Sequence, residues 1–173
     1  VYTPFHGCGY KLVPEALRRL GIKHIYPVEQ QMVIDGSFPT VESPNPENPE
    51  GFYLAVDLAK KVDSNLIIGT DPDSDRIGTM VRNPEGEYVT ITGNQLGVLL
   101  LDYVCSHRKA QEGELPPVAV KTIVTTEMAV PICKKYGVEL RNVLTGFKFI
   151  GEQIGLLEKE GHTERYIFGF EES

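Results

Sequence analysis

Residues 66–76 read Leu-Ile-Ile-Gly-Thr-Asp-Pro-Asp-Ser-Asp-Arg, a stretch in which an apolar run leads directly into three alternating aspartates. The run Leu66–Ile68 predicts a short buried strand. The segment Asp71–Arg76, here called the acidic loop, then follows the carboxyl end of that strand. Ligands of open α/β sheets bind beyond the carboxyl ends of their strands. This stretch therefore indicates both a fold class and the place of a site.

Strands and helices are predicted to alternate on both sides of this stretch. The predicted elements before it are a strand Val1–Phe5, a helix Pro14–Leu20 ended by Gly21, a strand His24–Val28, a proline-rich loop Asp35–Glu50 and a helix Gly51–Val62. The spacing of the first helix directs Leu17 and Leu20 inward. After the acidic loop, strands Ile77–Val81 and Glu87–Ile91 flank Asn-Pro-Glu-Gly, which is typical of a hairpin.

The C-terminal half repeats this alternation. Its predicted elements are a helix Asn94–His107, a strand Val118–Val124, a helix Glu127–Tyr136, a strand Val138–Val143, a helix Phe147–Glu160 and a strand Arg165–Phe170. Such alternation indicates βαβ units. We therefore predict an α/β fold of two consecutive, similar domains, residues 1–90 and 91–173. Their mixed, mainly parallel sheets would be flanked by helices.

The acidic loop is the strongest candidate site. Asp71, Asp73 and Asp75 alternate along a tight turn, so their three carboxylates can converge, and hard cations such as Mg²⁺ or Ca²⁺ prefer oxygen ligands of this kind. The alternative is a solvated acidic turn without an ion. Arg76 either compensates the charge within the loop or offers a fork-shaped donor to a phosphate.

Other interpretations of the acidic loop can be compared with its residues. An EF-hand loop needs Gly at its sixth position and Glu at its twelfth. Counted from Asp71, those positions hold Arg76 and Arg82, which excludes an EF-hand. A phosphatase that uses Asp71 as nucleophile and Asp73 as acid/base stays open. So does a non-catalytic module that binds a metal ion or a sugar phosphate.

A second candidate is the segment Thr145-Gly146-Phe147-Lys148. Thr145 is predicted to be the N-cap of a helix, which places Lys148 in the first turn. A helix dipole disfavours a cation there by roughly 0.3–1 kcal/mol. An anionic ligand or a role in acid/base catalysis would explain why a lysine occupies this position. The alternative is an ion pair between Lys148 and Glu152. The stripe along this helix that is predicted to face the core consists of Phe147, Ile150, Ile154 and Leu157.

Two weaker signals complete the set. Gly169–Ser173 leads from an apolar strand into polar groups that suit sugar hydroxyls, although acidic loop tips are commonly just solvated. His6 lies beside Gly7 and Gly9, and a buried or loop-bracing histidine is the simplest interpretation of it.

Composition excludes several classes of protein. The 173 residues include 17 basic and 24 acidic side chains, a net charge of −7, which argues against nucleic-acid binding. No apolar run approaches the roughly 18 residues of a membrane span. Three widely spaced cysteines predict reduced thiols and a cytoplasmic location. Without an initiator Met, and with a last strand that ends in a polar loop, the chain is interpreted as an interior piece of a longer protein.

Taken together, these segments resemble the α-D-phosphohexomutase family, the phosphoglucomutases and phosphomannomutases. The similar segments follow one another in the family's order: Thr3–Gly9, Pro44–Glu47, the acidic loop, Thr145–Lys148 and Gly169–Ser173. The sequence Gly-Phe-Glu-Glu-Ser is most similar to that of the phosphoglucomutase/phosphopentomutase branch.

The resemblance implies a four-domain enzyme of which this chain is the second and third domains. The missing first domain would carry a phosphorylatable serine, and the missing fourth would bind phosphate. The implied reaction interconverts sugar 1-phosphate and 6-phosphate, with glucose preferred and mannose the second candidate. Glucose 1,6-bisphosphate would be its intermediate and activator. The chain alone is expected to be inactive.

The resemblance also implies roles for residues. Asp71, Asp73 and Asp75 would hold Mg²⁺. Lys148 and Arg76 would be catalytic, steadying phosphate oxygens or assisting proton transfer. The implied substrate-binding residues are Thr145, Gly146, Glu171 and Ser173, of which Glu171 and Ser173 would hold the O3 and O4 hydroxyls of the sugar.

Overall fold

Two β-sheets organise the chain, one in each of its two units, residues 1–92 and 93–173. The computed structural model describes residues 1–108 and 113–172. The elements of the first unit are β1 (Tyr2–Thr3), α1 (Gly9–Arg19), α2 (Tyr53–Val62), β2 (Leu66–Thr70), β3 (Ile77–Arg82) and β4 (Tyr88–Ile91), with 3₁₀ turns at Glu29–Gln31 and Pro49–Phe52. Those of the second unit are α3 (Gly93–His107), β5 (Val118–Thr122), α4 (Ala129–Tyr136), β6 (Glu139–Val143), α5 (Phe147–Lys159) and β7 (Tyr166–Phe170), with a 3₁₀ turn at Thr163–Arg165.

The sheet of the first unit is mixed, in the order β1-β2-β3-β4. β1 pairs with β2 in parallel, Thr3 opposite Gly69, whereas β2–β3 and β3–β4 pair antiparallel. The β3–β4 hairpin turns at Asn-Pro-Glu-Gly, where Gly86 has φ +87°. Because β1 and β2 run in the same direction, the segments that follow Thr3 and Thr70 leave the same edge of the sheet.

The sheet of the second unit is parallel throughout, in the order β6-β5-β7. Its central strand β5 is buried along its whole length, as expected for a parallel strand covered on both faces. Val118 and Val120 pack with Ile150 and Leu157 of α5, whereas Ala119 packs with residues of α3 and α4. The period-2 alternation of β5 thus separates an α5 face from an α3–α4 face.

The core of the first unit lies between its sheet and α2. Its buried members are Phe5, Val28, Val41, Phe52, Ala55, Ala59, Ile67 and Met80. The rings of Phe5 and Phe52 meet edge to face, 5.0 Å between centroids. Among residues 1–108 and 113–172, no helix is both long enough and apolar enough to cross a membrane.

The predicted fold class, two α/β units whose sheets are flanked by helices, is confirmed. The second sheet is parallel as expected, whereas the first is mixed, with two of its three strand pairings antiparallel. The first unit departs from the predicted elements at His24–Val28, which forms no strand and contributes only an isolated bridge between Tyr2 and Pro27. Pro27 lacks an N–H, and the partner strand β1 has only two residues. Leu20 is 80% exposed instead of inward, because it is the C-cap residue at the end of α1.

Two helix starts also differ from the prediction. α1 begins at Gly9 and carries Pro14 inside it. α4 begins at Ala129, not Glu127, which places Pro131 in the first turn, where its missing N–H breaks no intrahelical bond. On α5, Phe147 is 60% exposed, because it starts the helix, whereas Ile150 and Leu157 are buried as predicted.

The three thiols differ in accessibility, and this difference predicts a simple titration. Cys8 is exposed, whereas Cys105 and Cys133 are buried. Burial raises the pKa of the Cys133 thiol to about 11 and also raises the pKa of Cys105. Only the thiolate is nucleophilic, so at pH 8 about one Cys133 in a thousand can react. We expect one fast equivalent with a chromogenic disulfide reagent at pH 8, and three in denaturant. Cys8→Ser should remove the fast equivalent, and a second fast thiol would contradict the buried placement.

Candidate functional site

The acidic loop closes on itself at the carboxyl end of β2. Asp71 is buried, and its Oδ1 accepts a hydrogen bond from the Arg76 backbone N–H at 3.0 Å. The Arg76 side chain lies 3.5 Å from Asp71 Oδ2 through Nε. Ser74 turns the loop with φ +63°, and its N–H donates to the Asp71 carbonyl at 3.1 Å. These contacts hold the loop as one compact turn.

Three carboxylates converge within this turn. One oxygen from each of Asp71, Asp73 and Asp75 lies within 4.8 Å of the others, with Asp71 buried and the other two exposed. Burial raises the pKa of Asp71; the Arg76 N–H lowers it, and the carboxyls of Asp75 and Asp73 raise it. An all-oxygen donor set with excess negative charge fits Mg²⁺. That these residues bind a metal stays a prediction.

The turn between β1 and α1, Pro4–Cys8, lies directly against the acidic loop because β1 and β2 are parallel neighbours. The Cys8 N–H donates to the Pro72 carbonyl at 2.8 Å. A Cβ on Gly7 would stand 2.3 Å from Pro72 Cα, and one on Gly9 would stand 2.6 Å from Ser74 Oγ. At Gly7 the two backbones approach this closely only because the residue has no Cβ, and at Gly9 the missing Cβ leaves room for the Ser74 side chain.

The proline-rich loop packs on β3 and lies across an open cleft from the acidic loop. A Cβ on Gly78 of β3 would stand 2.2 Å from the Pro46 carbonyl oxygen, so this loop packs on the strand that follows the acidic loop. An open cleft of about 480 Å³ lies between the two loops. Its lining residues are Ser43, Pro44, Asn45, Asp71, Pro72, Asp73 and Arg76. The cleft therefore combines two of the three predicted metal ligands, Asp71 and Asp73, with the guanidinium of Arg76.

In the second unit, two predicted substrate residues contact each other. The Gly146 N–H donates to both carboxylate oxygens of Glu171, at 3.2 and 3.1 Å. Gly146 follows β6 and Glu171 follows β7; both strands run parallel to β5, so their carboxyl ends share an edge. Glu171 thus places a negative charge at the N-terminus of α5, where the helix dipole favours it.

The N-cap of α5 is Gly146, with φ +118°, and the predicted N-cap Thr145 is wrong. The positive-φ backbone at this position suits glycine, and the N–H of this N-cap residue is the one that donates to Glu171. Lys148 still lies in the first turn. It is exposed, its Nζ lies 4.9 Å from the Phe149 ring centre, and it forms no ion pair with Glu152 within the described part of the chain. Ser173 lies outside the described residues.

Lys121 is a further candidate site residue, one that was not predicted from the sequence. It lies at the carboxyl end of β5 and is fully buried. Its Nζ donates to the Thr125 carbonyl and to Glu127 Oε1, both at 2.9 Å. A buried ammonium group is rare unless it is paired. A single lysine after Val118-Ala119-Val120 was the signal that could have found it.

Asn94 of α3 was also missed. Its Oδ1 accepts from the Thr126 N–H at 2.8 Å, and its Nδ2 donates to the Glu172 carboxylate. One side chain thus ties the segment after β5 to the segment after β7. An asparagine in the first turn of a helix has no distinctive spacing, so no sequence signal pointed to it.

Comparisons with known proteins cover almost the whole chain. Residues 1–86 match the family model "Phosphoglucomutase/phosphomannomutase, alpha/beta/alpha domain II", and residues 92–173 match "Phosphoglucomutase/phosphomannomutase, alpha/beta/alpha domain III". A phosphoglucomutase of Staphylococcus epidermidis is 38% identical over 173 residues, which is 100% of this chain and 31% of that protein. A phosphoglucomutase of Staphylococcus aureus is 39% identical over all of this chain and 30% of its own length. The chain thus spans less than a third of these curated relatives.

Solved structures share the fold. A phosphoglucomutase/phosphomannomutase family protein from Burkholderia thailandensis matches with a TM-score of 0.74 and 19% identity, over 99% of this chain and 33% of that one. The phosphoglucomutase parafusin from Paramecium, in an open form, matches with a TM-score of 0.57 and 19% identity, over 99% of this chain and 28% of that one.

Proposed function

Because the chain belongs to the phosphoglucomutase/phosphomannomutase family, we propose that it forms the second and third domains of a phosphosugar mutase. The proposed reaction interconverts a sugar 1-phosphate and the 6-phosphate, with glucose preferred over mannose. The convergence of three aspartates at the carboxyl end of β2 is the observation that carries this proposal. Since the chain spans about 31% of its relatives, the activity is assigned to a longer protein that contains it.

Asp71, Asp73 and Asp75 are the residues proposed to hold Mg²⁺. Bound there, the ion would offset negative charge on the transferring phosphoryl group. Arg76 is half exposed beside these carboxylates and faces the cleft of the first unit. Its guanidinium is proposed to donate to phosphate oxygens in a bidentate manner.

The second unit is proposed to bind the sugar. Each Glu171 oxygen that accepts from Gly146 retains a lone pair for a sugar hydroxyl, with Ser173 as the second ligand. Lys148, exposed in the first turn of α5, is proposed to bind a phosphate together with Thr145. The helix N-terminus adds to this attraction for an anion.

The proposed cycle transfers the phosphoryl group of a phosphoserine in another domain to a free hydroxyl of the sugar phosphate. A P–O bond to serine breaks, a P–O bond to the sugar forms, and the hydroxyl proton leaves to a base. The resulting bisphosphate, glucose 1,6-bisphosphate for glucose, returns its other phosphoryl group to serine after it turns over. Contacts to hydroxyls through Glu171 would serve both orientations of the ring.

The reaction can be followed by phosphorus NMR with the full-length protein and with the 173-residue chain. Each is incubated with Mg²⁺, a trace of glucose 1,6-bisphosphate, and glucose, mannose or ribose 1-phosphate. Conversion to a 6- or 5-phosphate by the full-length protein, with the total phosphate ester unchanged, would support the mutase and name its sugar. Release of inorganic phosphate would favour the phosphatase activity. The absence of any reaction with all three sugar phosphates would contradict both the mutase and the phosphatase assignment.

Glu171→Gln tests both the sugar site and the negative charge at the N-terminus of α5. We expect kcat/KM of the full-length protein to fall about a hundredfold, since a charged hydrogen-bond acceptor is worth about 1.5–3 kcal/mol. The free energy of unfolding of the chain should fall by about 0.3–1 kcal/mol, because the helix dipole loses its counter-charge. Enzyme kinetics and urea denaturation measure the two effects.

The matched control is Glu160→Gln, at the other end of the same helix, where Glu160 is the C-cap residue. The same loss of charge there should leave activity unchanged and stability equal or slightly higher, because the dipole disfavours an anion at that end. Equal losses from both variants would contradict a special role for Glu171.

A further inference from the structure

A buried network of polar side chains lies behind the β1–α1 turn. His6 is buried; its Nδ1 lies 2.8 Å from the Val33 carbonyl oxygen and its Nε2 lies 2.8 Å from Thr40 Oγ1. A carbonyl oxygen only accepts, so Nδ1 carries the proton of the first bond. Both ring nitrogens are therefore used, and the ring has one defined orientation.

The network continues from Thr40 to β1. The Gln31 amide donates to Thr40 Oγ1 at 3.0 Å, and the Thr3 hydroxyl donates to Gln31 Oε1. The backbone adds the bond from the His6 N–H to the Gln31 carbonyl, 2.9 Å. Thr3, His6 and Gln31 are all buried, and each has a partner. A buried network that is satisfied in this way specifies a single arrangement.

The same turn has unusual backbone conformations. Phe5 and His6 have φ values of +45° and +66°, a region that non-glycine residues rarely adopt. Such conformations persist only where the surroundings impose them, and they cluster at functional sites. Here the surroundings are the network at His6 and the core contact of Phe5 with Phe52.

The turn transmits this constraint to the acidic loop. Directly after His6, Gly7 lies against the backbone of Pro72, and the Cys8 N–H donates to the Pro72 carbonyl. Pro72 is the residue between the carboxylates of Asp71 and Asp73. A displacement of the turn would therefore move the backbone that sets the separation of these two aspartates.

We propose that His6 is a positioning residue for the acidic loop. Its two ring hydrogen bonds hold Gly7 and Cys8 against Pro72 and thereby keep Asp71 and Asp73 in the arrangement that binds a divalent cation. His6 itself touches neither the carboxylates nor, by this assignment, the substrate. The inference rests on the proposed function, because it assigns a role in the metal site proposed there.

The test uses His6→Gly in the 173-residue chain. Glycine adopts the positive φ without strain, so this variant removes the ring and its two hydrogen bonds without adding backbone strain. Mn²⁺ binding is measured by the electron paramagnetic resonance signal of the free ion. We expect the affinity to fall about ten- to a hundredfold, the usual effect of losing a residue that orients metal ligands. Added imidazole should refill the cavity and restore the affinity, with the wild-type chain in imidazole as reference.

Three further measurements separate positioning from a general loss of stability. Thr40→Val, which removes the Nε2 partner, should weaken Mn²⁺ binding in the same direction, and it serves if His6→Gly does not fold. Ala59→Gly, in α2, should lower the melting temperature with Mn²⁺ affinity unchanged. In the metal-free chain, the NMR amide signals of Asp71 and of residues 73–76 should shift in His6→Gly and return with imidazole.

The outcomes distinguish this inference from the proposed function. Wild-type Mn²⁺ affinity in a folded His6→Gly or Thr40→Val variant would overturn the positioning role and leave the metal site standing. A wild-type chain that binds no Mn²⁺ would overturn the metal site. In that case, amide signals of Asp71 and residues 73–76 that do not shift in His6→Gly would overturn the mechanical coupling as well, whereas signals that shift would support the coupling.

Discussion

Asp73→Asn is expected to weaken Mg²⁺ or Mn²⁺ binding by about a hundredfold, because the affinity of such sites follows the charge of their oxygen ligands. In the full-length protein the same change should lower kcat by about a thousandfold or more. Metal stabilisation of a transferring phosphoryl group is worth several kcal/mol, and each 1.36 kcal/mol is a tenfold change in rate. Calorimetric titration of the chain and kinetics of the full-length protein measure the two effects.

The structure also predicts that this loss of affinity carries no loss of stability. Asp73 is exposed, and its side chain makes no hydrogen bond among the described residues. Its charge raises the pKa of the buried Asp71, so the metal-free loop holds carboxylates that repel one another. Asparagine removes one of these charges with almost no change in shape. The melting temperature of the metal-free chain should therefore be unchanged or higher.

Asp57→Asn is the control for Asp73→Asn, since Asp57 is an exposed aspartate on α2 and the change in net charge is the same. It should alter neither metal affinity nor turnover. Wild-type affinity in Asp73→Asn would defeat the metal assignment. A marked loss of stability in the metal-free variant would instead mean that Asp73 supports the loop in a way that its contacts do not reveal.

Phe52→Ala is expected to lower the free energy of unfolding by about 3–5 kcal/mol, the usual cost of deleting a buried aromatic ring. Phe52 is fully buried, contacts the Phe5 ring edge to face, and lies so close to Gly69 that a Cβ there would stand 2.6 Å from the Phe52 ring. Alanine at this position would leave a cavity between β2 and the β1–α1 turn. The loss is a large part of the roughly 5–15 kcal/mol that stabilises a typical domain.

Urea denaturation followed by circular dichroism and tyrosine fluorescence measures this change, since the chain has no tryptophan. The matched control is Tyr53→Ala, the neighbouring aromatic residue, whose side chain is exposed. It should cost less than about 0.5 kcal/mol, as surface substitutions commonly do. A loss below about 1 kcal/mol for Phe52→Ala would mean that the site collapses to fill the cavity.

Local signals in the sequence were sufficient for most of the elements. The hairpin at Asn-Pro-Glu-Gly and the left-handed Gly137 that ends α4 depend on residues that are adjacent in the chain. The prediction of a strand at His24–Val28 was wrong because propensity does not report whether a partner edge is available. Thr145 was mistaken for the N-cap of α5, which is Gly146, because the carboxylate that accepts the Gly146 N–H belongs to Glu171, 25 residues further along the chain.

Three alternating aspartates after an apolar strand could be predicted from the sequence alone, because these residues are adjacent in the chain and the strand is the only element that has to form. The α/β class could also be predicted, since strands and helices alternate along the sequence. By contrast, three features become visible only in the folded chain: the support of Pro72 by His6 and Gly7, the contact of Glu171 with the N-terminus of α5, and the burial of Lys121. Those contacts depend on the parallel pairing of β1 with β2 in the first sheet and of β5 with β6 and β7 in the second. Within each sheet, parallel pairing brings residues that are distant in sequence together at the carboxyl ends of the strands.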